Sequence, residues 1–135
     1  MSQWVKAKMG KLVNTENDVL EKAFNRMSYT MDNEIKKIKN SFGKSDVDCG
    51  LRKIDIGEPS TIGLSYNMDE KNNKTISISG DFYFTKYRDV NDFIADLNKN
   101  YQIENIIKKA QKNGYQVDSE IKMKNGDHRL MLVQY

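Results

Sequence analysis

Apolar residues recur in two rhythms along this chain, every second position and every third or fourth. The switches between the two mark its elements. Trp4-Val5-Lys6-Ala7-Lys8-Met9 alternates apolar and basic positions, which predicts a short strand with one wet face. Val19, Leu20, Ala23, Phe24 and Met27 then recur at helical spacing. Asn14 or Thr15 supplies the N-cap, and Glu16 and Asp18 suit the positive end of that helix. A second helical set is Met31, Ile35, Ile38 and Phe42, with Asp32 as its cap and Gly43 as its stop. Its opposite face carries Lys36, Lys37 and Lys39. The spacing does not decide between one helix over 15–42 and two with a break near Ser28-Tyr29-Thr30.

Beyond Gly43 the rhythm loosens. Lys44-Ser45-Asp46-Val47-Asp48-Cys49-Gly50 reads as a loop, and Leu51, Ile54 and Ile56 as a short strand closed by Gly57-Glu58-Pro59. Ile62, Leu64 and Tyr66 alternate, and Asp69-Glu70-Lys71-Asn72-Asn73 forms a hairpin connection. The return strand is the clearest in the chain. Ile76, Ile78, Gly80, Phe82 and Phe84 share one face, with Thr75, Ser77, Ser79, Asp81 and Tyr83 on the other. Gly80 either admits a closely packed helix or marks a bulge.

Asp89 or Asn91 caps the next helix, whose stripe is Val90, Phe93, Ile94, Leu97 and Tyr101. The phase then slips near Asn98-Lys99-Asn100 to Ile103, Ile106, Ile107 and Ala110, which predicts a kink or two consecutive helices. Asn113-Gly114 is a stop signal. Tyr115, Val117, Ser119, Ile121 and Met123 alternate, and Asn125-Gly126 is a hairpin turn signal. The last strand, His128 to Tyr135, holds Leu130-Met131-Leu132-Val133, apolar on both faces. That is the pattern of a central strand covered on both sides, or of a strand at an oligomer interface. The order is β-α-(α)-β-β-β-α-β-β. It predicts a single α+β domain over 1–135, with a mostly antiparallel sheet and two to four helices on one face.

Composition narrows the class. At 135 residues the chain is near the commonest domain length. No apolar run approaches the ~20 residues that span a bilayer. The opening Met1-Ser2-Gln3-Trp4-Val5-Lys6 has no apolar signal core, and Cys49 is the one cysteine. Both features predict a cytoplasmic protein with no membrane partner. Of 22 cations 18 are Lys, and four are Arg: Arg26, Arg52, Arg88 and Arg129. Nucleic-acid binders concentrate Arg, so scattered Lys and a net charge of +3 argue more for solubility.

One set of residues has an order and spacing of its own. It runs Phe93-Ile94-Ala95-Asp96-Leu97, Tyr101, Ile106, Ala110, Gly114-Tyr115-Gln116-Val117, Glu120, Asn125-Gly126-Asp127 and Arg129-Leu130-Met131-Leu132. This pattern resembles the domain-of-unknown-function family 1257, found in plastids, cyanobacteria and other bacteria. The start, Met1-Ser2-Gln3-Trp4, is similar to that family's Met-Ser-His-aromatic opening, with Gln3 replacing the His. Thr61-Ile62-Gly63-Leu64 resembles its Asp-Ile-Gly-Phe strand. The resemblance covers 1–27 and 60–135, and it leaves 28–59 as a family-atypical insertion or a replaced element. It implies a fold and carries no catalytic residues.

Chemistry-bearing residues are sparse. His128 and Cys49 are single, and Asp46-Val47-Asp48 lacks the later Glu of a calcium loop, so neither a metal nor another cofactor is expected. No Gly-rich phosphate loop is present. Lys36, Lys37 and Lys39, or Lys108, Lys109 and Lys112, with exposed aromatics would suit nucleic acid. A small anionic, nucleotide-like ligand would use the scarce Arg52, Arg88 and Arg129 with Tyr83 and Tyr87 as platforms. Leu130, Leu132, Val133 and Tyr135 are the candidate interface, and seven Met suit adaptable contacts. The expected function is that of a small non-enzymatic binding protein. It forms a homodimer and binds a partner protein or sequesters a small anionic ligand. A phage-encoded inhibitor of host defence, working in the host cytoplasm, would show the same profile. The alternatives are a nucleotide- or phosphoester-processing enzyme and a nucleic-acid-binding protein.

Overall fold

The strongest alternation in the sequence becomes the centre of the fold. The computed structural model describes residues 4–8, 13–40, 43–83, 85–122, 124 and 128–134. The chain runs β1 (Trp4–Lys8), α1 (Asn17–Arg26), β2 (Tyr29–Asp32), β3 (Lys37–Asn40), β4 (Gly43–Asp46), β5 (Cys49–Lys53) and β6 (Pro59–Met68). It continues through β7 (Lys74–Asp81), α2 (Val90–Lys112), β8 (Tyr115–Lys122) and β9 (His128–Gln134). A five-stranded antiparallel sheet has the order β1-β7-β6-β5-β2, while β3-β4 and β8-β9 form separate two-stranded ribbons. This is an α+β fold with antiparallel sheets and two helices. Among the described residues no helix is long and apolar enough to cross a membrane.

One face of the sheet presents Leu51, Ile62, Leu64, Ile76 and Ile78 to both helices. From α1 come Val19, Leu20, Ala23 and Phe24, and from α2 come Val90, Phe93, Ile94, Leu97 and Tyr101. Burying each Val, Leu, Ile or Phe side chain among these contributes about 1.5–3 kcal/mol. Phe93 lies at the middle of an aromatic cluster, with ring centroids 5.0 Å from Tyr87, 5.3 Å from Phe82, 5.9 Å from Tyr29 and 6.2 Å from Phe24. Phe82 is therefore core, as its place in the Ile76–Ile78 row predicts; Phe84 lies outside the described residues.

The opposite face is covered too, which the alternation did not suggest. Ser77 and Ser79 are only 1% and 3% exposed. Gly50 pairs with Gly63, and Gly63 with Ser79, so a row of small residues crosses three strands. The ribbon β3-β4 and its flanks lie over this row as a flap. A Cβ on Gly63 would come 2.6 Å from Val47 Cγ1, and one on Gly50 would overlap Ile35. Ile38, on β3 of the flap itself, is 2% exposed. Backbone bonds fasten its base: Val47 N–H to Lys36 O, 2.9 Å, Asp48 N–H to Leu64 O, 2.8 Å, and Gly50 N–H to Ile35 O, 3.1 Å.

The flap replaces the second helix expected at 31–42 and the loop expected at 44–50. Ser28, at φ 70°, turns the chain out of α1 into β2, which pairs along β5 with Met31 opposite Leu51. Edge pairing outweighs the helical spacing of Met31, Ile35 and Ile38; Phe42 lies outside the described residues. Asp32 caps no helix, and its Oδ1 accepts the Glu34 N–H at 2.9 Å in a turn. Ile54 and Ile56 sit exposed in the β5–β6 turn, not in a strand.

Three further expectations change. Neither Asn14 nor Thr15 caps α1, whose N-cap position is Glu16; Asn14 instead pairs with Lys74 of β7 through backbone and side chain. α2 is one helix across the phase slip, capped by Asp89, which accepts from Asp92 N–H at 2.9 Å. Its first stripe serves the main core, and Ile103 and Ala110 are buried outside that core. Gly80 marks neither a helix contact nor a bulge: its crowding comes from the neighbouring strand, where a Cβ would come 2.7 Å from Thr61 O. The register shifts lie in β5 and β8.

Gly63→Ala should cost about 1–3 kcal/mol in urea unfolding, because overpacking outweighs the entropy that Ala removes from the unfolded chain. Val47→Ala in the same chain should return part of that loss, and a double-mutant cycle measures the coupling.

Candidate functional site

The five expected ligand residues sit on three parts of the chain. Arg52 on β5 is committed to structure: its Nε is 2.6 Å from Asp32 Oδ2, and its Nη1 donates to Gly57 O at 2.8 Å. It ties the edge strand β2 to the β5–β6 turn. The Arg52 hydrogen bond, aided by the Glu34 N–H, holds the Asp32 carboxyl below its ordinary range. Tyr87 is buried, its hydroxyl donating to Asp96 Oδ2 at 2.6 Å. Burial first, then Asp96, pushes its phenol upward. Arg88 is 87% exposed and 3.7 Å from Asp92. Tyr83 is exposed beyond the end of β7, and Arg129 is exposed on β9 opposite Ile121. Tyr87 borders a cleft with Lys86, Asp92, Asp96 and Lys99.

The fourth arginine does what the sequence could not show. Arg26, at the end of α1, places Nε 2.6 Å from Glu104 of α2 and Nη1 2.6 Å from Glu120 of β8. Its Nη2 adds a 3.1 Å bond to the second Glu120 oxygen, a bidentate fork. These carboxylates, Glu120 first, hold the guanidinium more firmly protonated. Lys108 joins the same two helices through Glu16 and, at 2.9 Å, Asp18. Its hydrogen bond to Asp18 lowers that carboxyl.

The ribbon held by Arg26 contains the expected interface. Glu120 pairs with Leu130 and Val117 with Leu132, on the face turned toward Arg26 and the helices. Ile121, Met131 and Val133 belong to the opposite face, where Ile121 is 54% and Met131 58% exposed. Leu130, Leu132 and Val133 are half-buried, and Tyr135 lies outside the described residues. β9 is not a central strand, because the five-stranded sheet ends at β1 and β2. The turn at Gly114, φ 82°, instead starts β8 as one strand of a separate ribbon.

A second feature lies at the flap. Lys37, Ile38, Lys39 and Lys44 face Glu58, Pro59, Ser60 and Thr61 across a cleft of about 340 Å³. Lys39 pairs directly with Lys44 across the ribbon. Cys49 is buried, its thiol donates to Gly50 O at 3.5 Å, and burial pushes its pKa up. Asp48 Oδ2 accepts the Tyr66 N–H at 2.7 Å. Among the described residues no three His, Cys, Asp or Glu side chains gather as a metal site.

Two predictions follow from these ion pairs. Arg26→Ala should release the ribbon, so hydrogen exchange quickens across 115–122 while β6 and β7 stay protected. Asp32 has a folded pKa below its unfolded one, so its stabilisation is present above the unfolded value and lost as pH falls through the folded one. Arg52→Ala should raise the Asp32 carboxyl, followed by NMR titration, back toward the ordinary carboxylate range.

Comparison with known proteins places the second half of this architecture. The family model described as "Protein of unknown function (DUF1257)" matches residues 52–131, from within β5 into β9. The match takes in the α2 stripe, the Gly114 stop and the Arg129-Leu130-Met131 run; residues 1–51, with the flap, lie outside it. No curated protein and no solved structure gives a significant match. The model covers more than half of the chain, and the chain belongs to the DUF1257 family.

Proposed function

We propose that this is a non-enzymatic binding protein that acts as a homodimer, two copies meeting along β9. The observation that supports the reading is the β8-β9 ribbon. It is two-stranded, with Ile121 and Met131 exposed and β9 paired to β8 alone among the described residues. A two-stranded ribbon is marginal by itself, and exposed edges are usually guarded by charge or proline. Leu130-Met131-Leu132-Val133-Gln134 has neither guard.

A second copy is the occupant that this chemistry favours. Antiparallel pairing about a two-fold centred on Leu132 sets Leu130 against Gln134 and Met131 against Val133. No like charges oppose one another across that span, and the result is one continuous four-stranded sheet. Binding is favoured over turnover because the candidate reactive groups are tied into the scaffold. Cys49 is buried, Asp32 is held by Arg52, and Asp96 is held by Tyr87.

Light scattering at about 50 µM should give twice the 15.7 kDa monomer mass, because obligate interfaces persist at such concentrations. Met131→Glu, at an exposed site, should weaken dimerisation at least tenfold with the monomer fold intact. A wild-type monomer at that concentration would overturn the proposal.

A further inference from the structure

We infer that the cleft between the β3-β4 flap and the start of β6 binds a compact phosphate-bearing anion. This site is independent of the β9 interface and of the dispersed Arg88, Arg129 and Arg52. Three lysines border it, Lys37, Lys39 and Lys44, against the single carboxylate of Glu58. Lys37 is partly balanced by Asp46 at 3.7 Å, an exposed pair. Lys39 and Lys44 form no ion pair among the described residues, and they stand opposite one another in the ribbon.

That pairing carries the inference. Directly opposed residues in an antiparallel pair have Cβ atoms about 4.5–5.5 Å apart, and like charges there are destabilising. One multiply charged anion bridging both ammonium groups turns this repulsion into attraction. Lys binds phosphate as a mobile point charge, so no guanidinium fork is required. The Ser60 hydroxyl is bonded to Ile62 and the Thr61 hydroxyl donates to Asp81 O at 2.7 Å, so the lysines supply the recognition. Pro59 gives the cleft an apolar side, with Ile38 buried behind it, and about 340 Å³ is the lower end of small-molecule sites. A phosphate group on a nucleotide and inorganic pyrophosphate share this chemistry.

The test is an NMR titration of the full chain with inorganic pyrophosphate and, separately, ATP, against sodium chloride at matched ionic strength. Saturable amide shifts should centre on 37–39, 44 and 58–61. Tighter binding of ATP would assign the Pro59 side to the nucleoside, and equal binding would assign recognition to phosphate alone. Lys39→Ala should weaken binding about tenfold, the size of one lost charge-assisted hydrogen bond. The unliganded variant should unfold at no lower temperature than wild type, because a like-charge pair has been removed. Lys44→Gln should show the same pair of effects and gives a second reading if Lys39→Ala unfolds early. Three results would overturn the inference: shifts spread over the surface, unchanged affinity in both variants, or an equal loss on Lys22→Ala of α1.

Discussion

The fit of Ile35 and Val47 against Gly50 and Gly63 is the constraint on which the rest of this structure depends. A five-stranded sheet with two helices has one face to spare, and here that face is occupied. The strands can lie under a flap only where they carry no bulk, at Gly50, Gly63, Ser77 and Ser79. Val47 is β-branched and stiff at χ1, so any side chain at position 63 must lift the flap rather than rotate Val47 aside. The same seating bounds the basic cleft, because it fixes Lys37, Lys39 and Lys44 across from the Pro59 end of β6.

The two covered faces divide the molecule along its sequence. The helix side is built largely from the family-matched region and closes around Phe93. The flap lies in residues 1–51, outside the match. The ribbon β8-β9 stands apart from both and is tied back by Arg26 through Glu104 and Glu120. The proposed interface on the ribbon and the proposed ligand cleft at the flap therefore use separate parts of the chain.

Much of this was legible in the residues. The β6–β7 hairpin follows from strict alternation around a polar connection, and α2 from a long stripe with an Asp cap and an Asn-Gly stop. The segment 28–48 was not legible, because Met31, Ile35 and Ile38 satisfy a helical period while belonging to four-residue strands and a turn. Their pairing is decided by β5 and by the glycine row, which local spacing does not contain. Ser77 and Ser79 alternate with the apolar row on the polar face of β7, and only the flap makes them interior. The α2 phase slip, read locally as a kink, is a handover between the main core and a separately buried stretch at Ile103 and Ala110. At the candidate sites, scarcity drew attention to Arg52 and an aromatic platform to Tyr87, which the structure uses for Asp32 and Asp96. Lys39 read as part of a basic helix face and Lys44 as part of a loop, since their opposition exists only once the ribbon is paired.

The seating of the flap is open to direct observation. An isotope-edited NOE spectrum of the full chain reports methyl groups near backbone protons. The fold described here predicts strong cross-peaks between the Val47 methyls and the Gly63 α-protons, with Ile35 methyls near the Gly50 α-protons. Absence of both, with the β6–β7 cross-strand peaks intact, would contradict the covered second face and the cleft that depends on it.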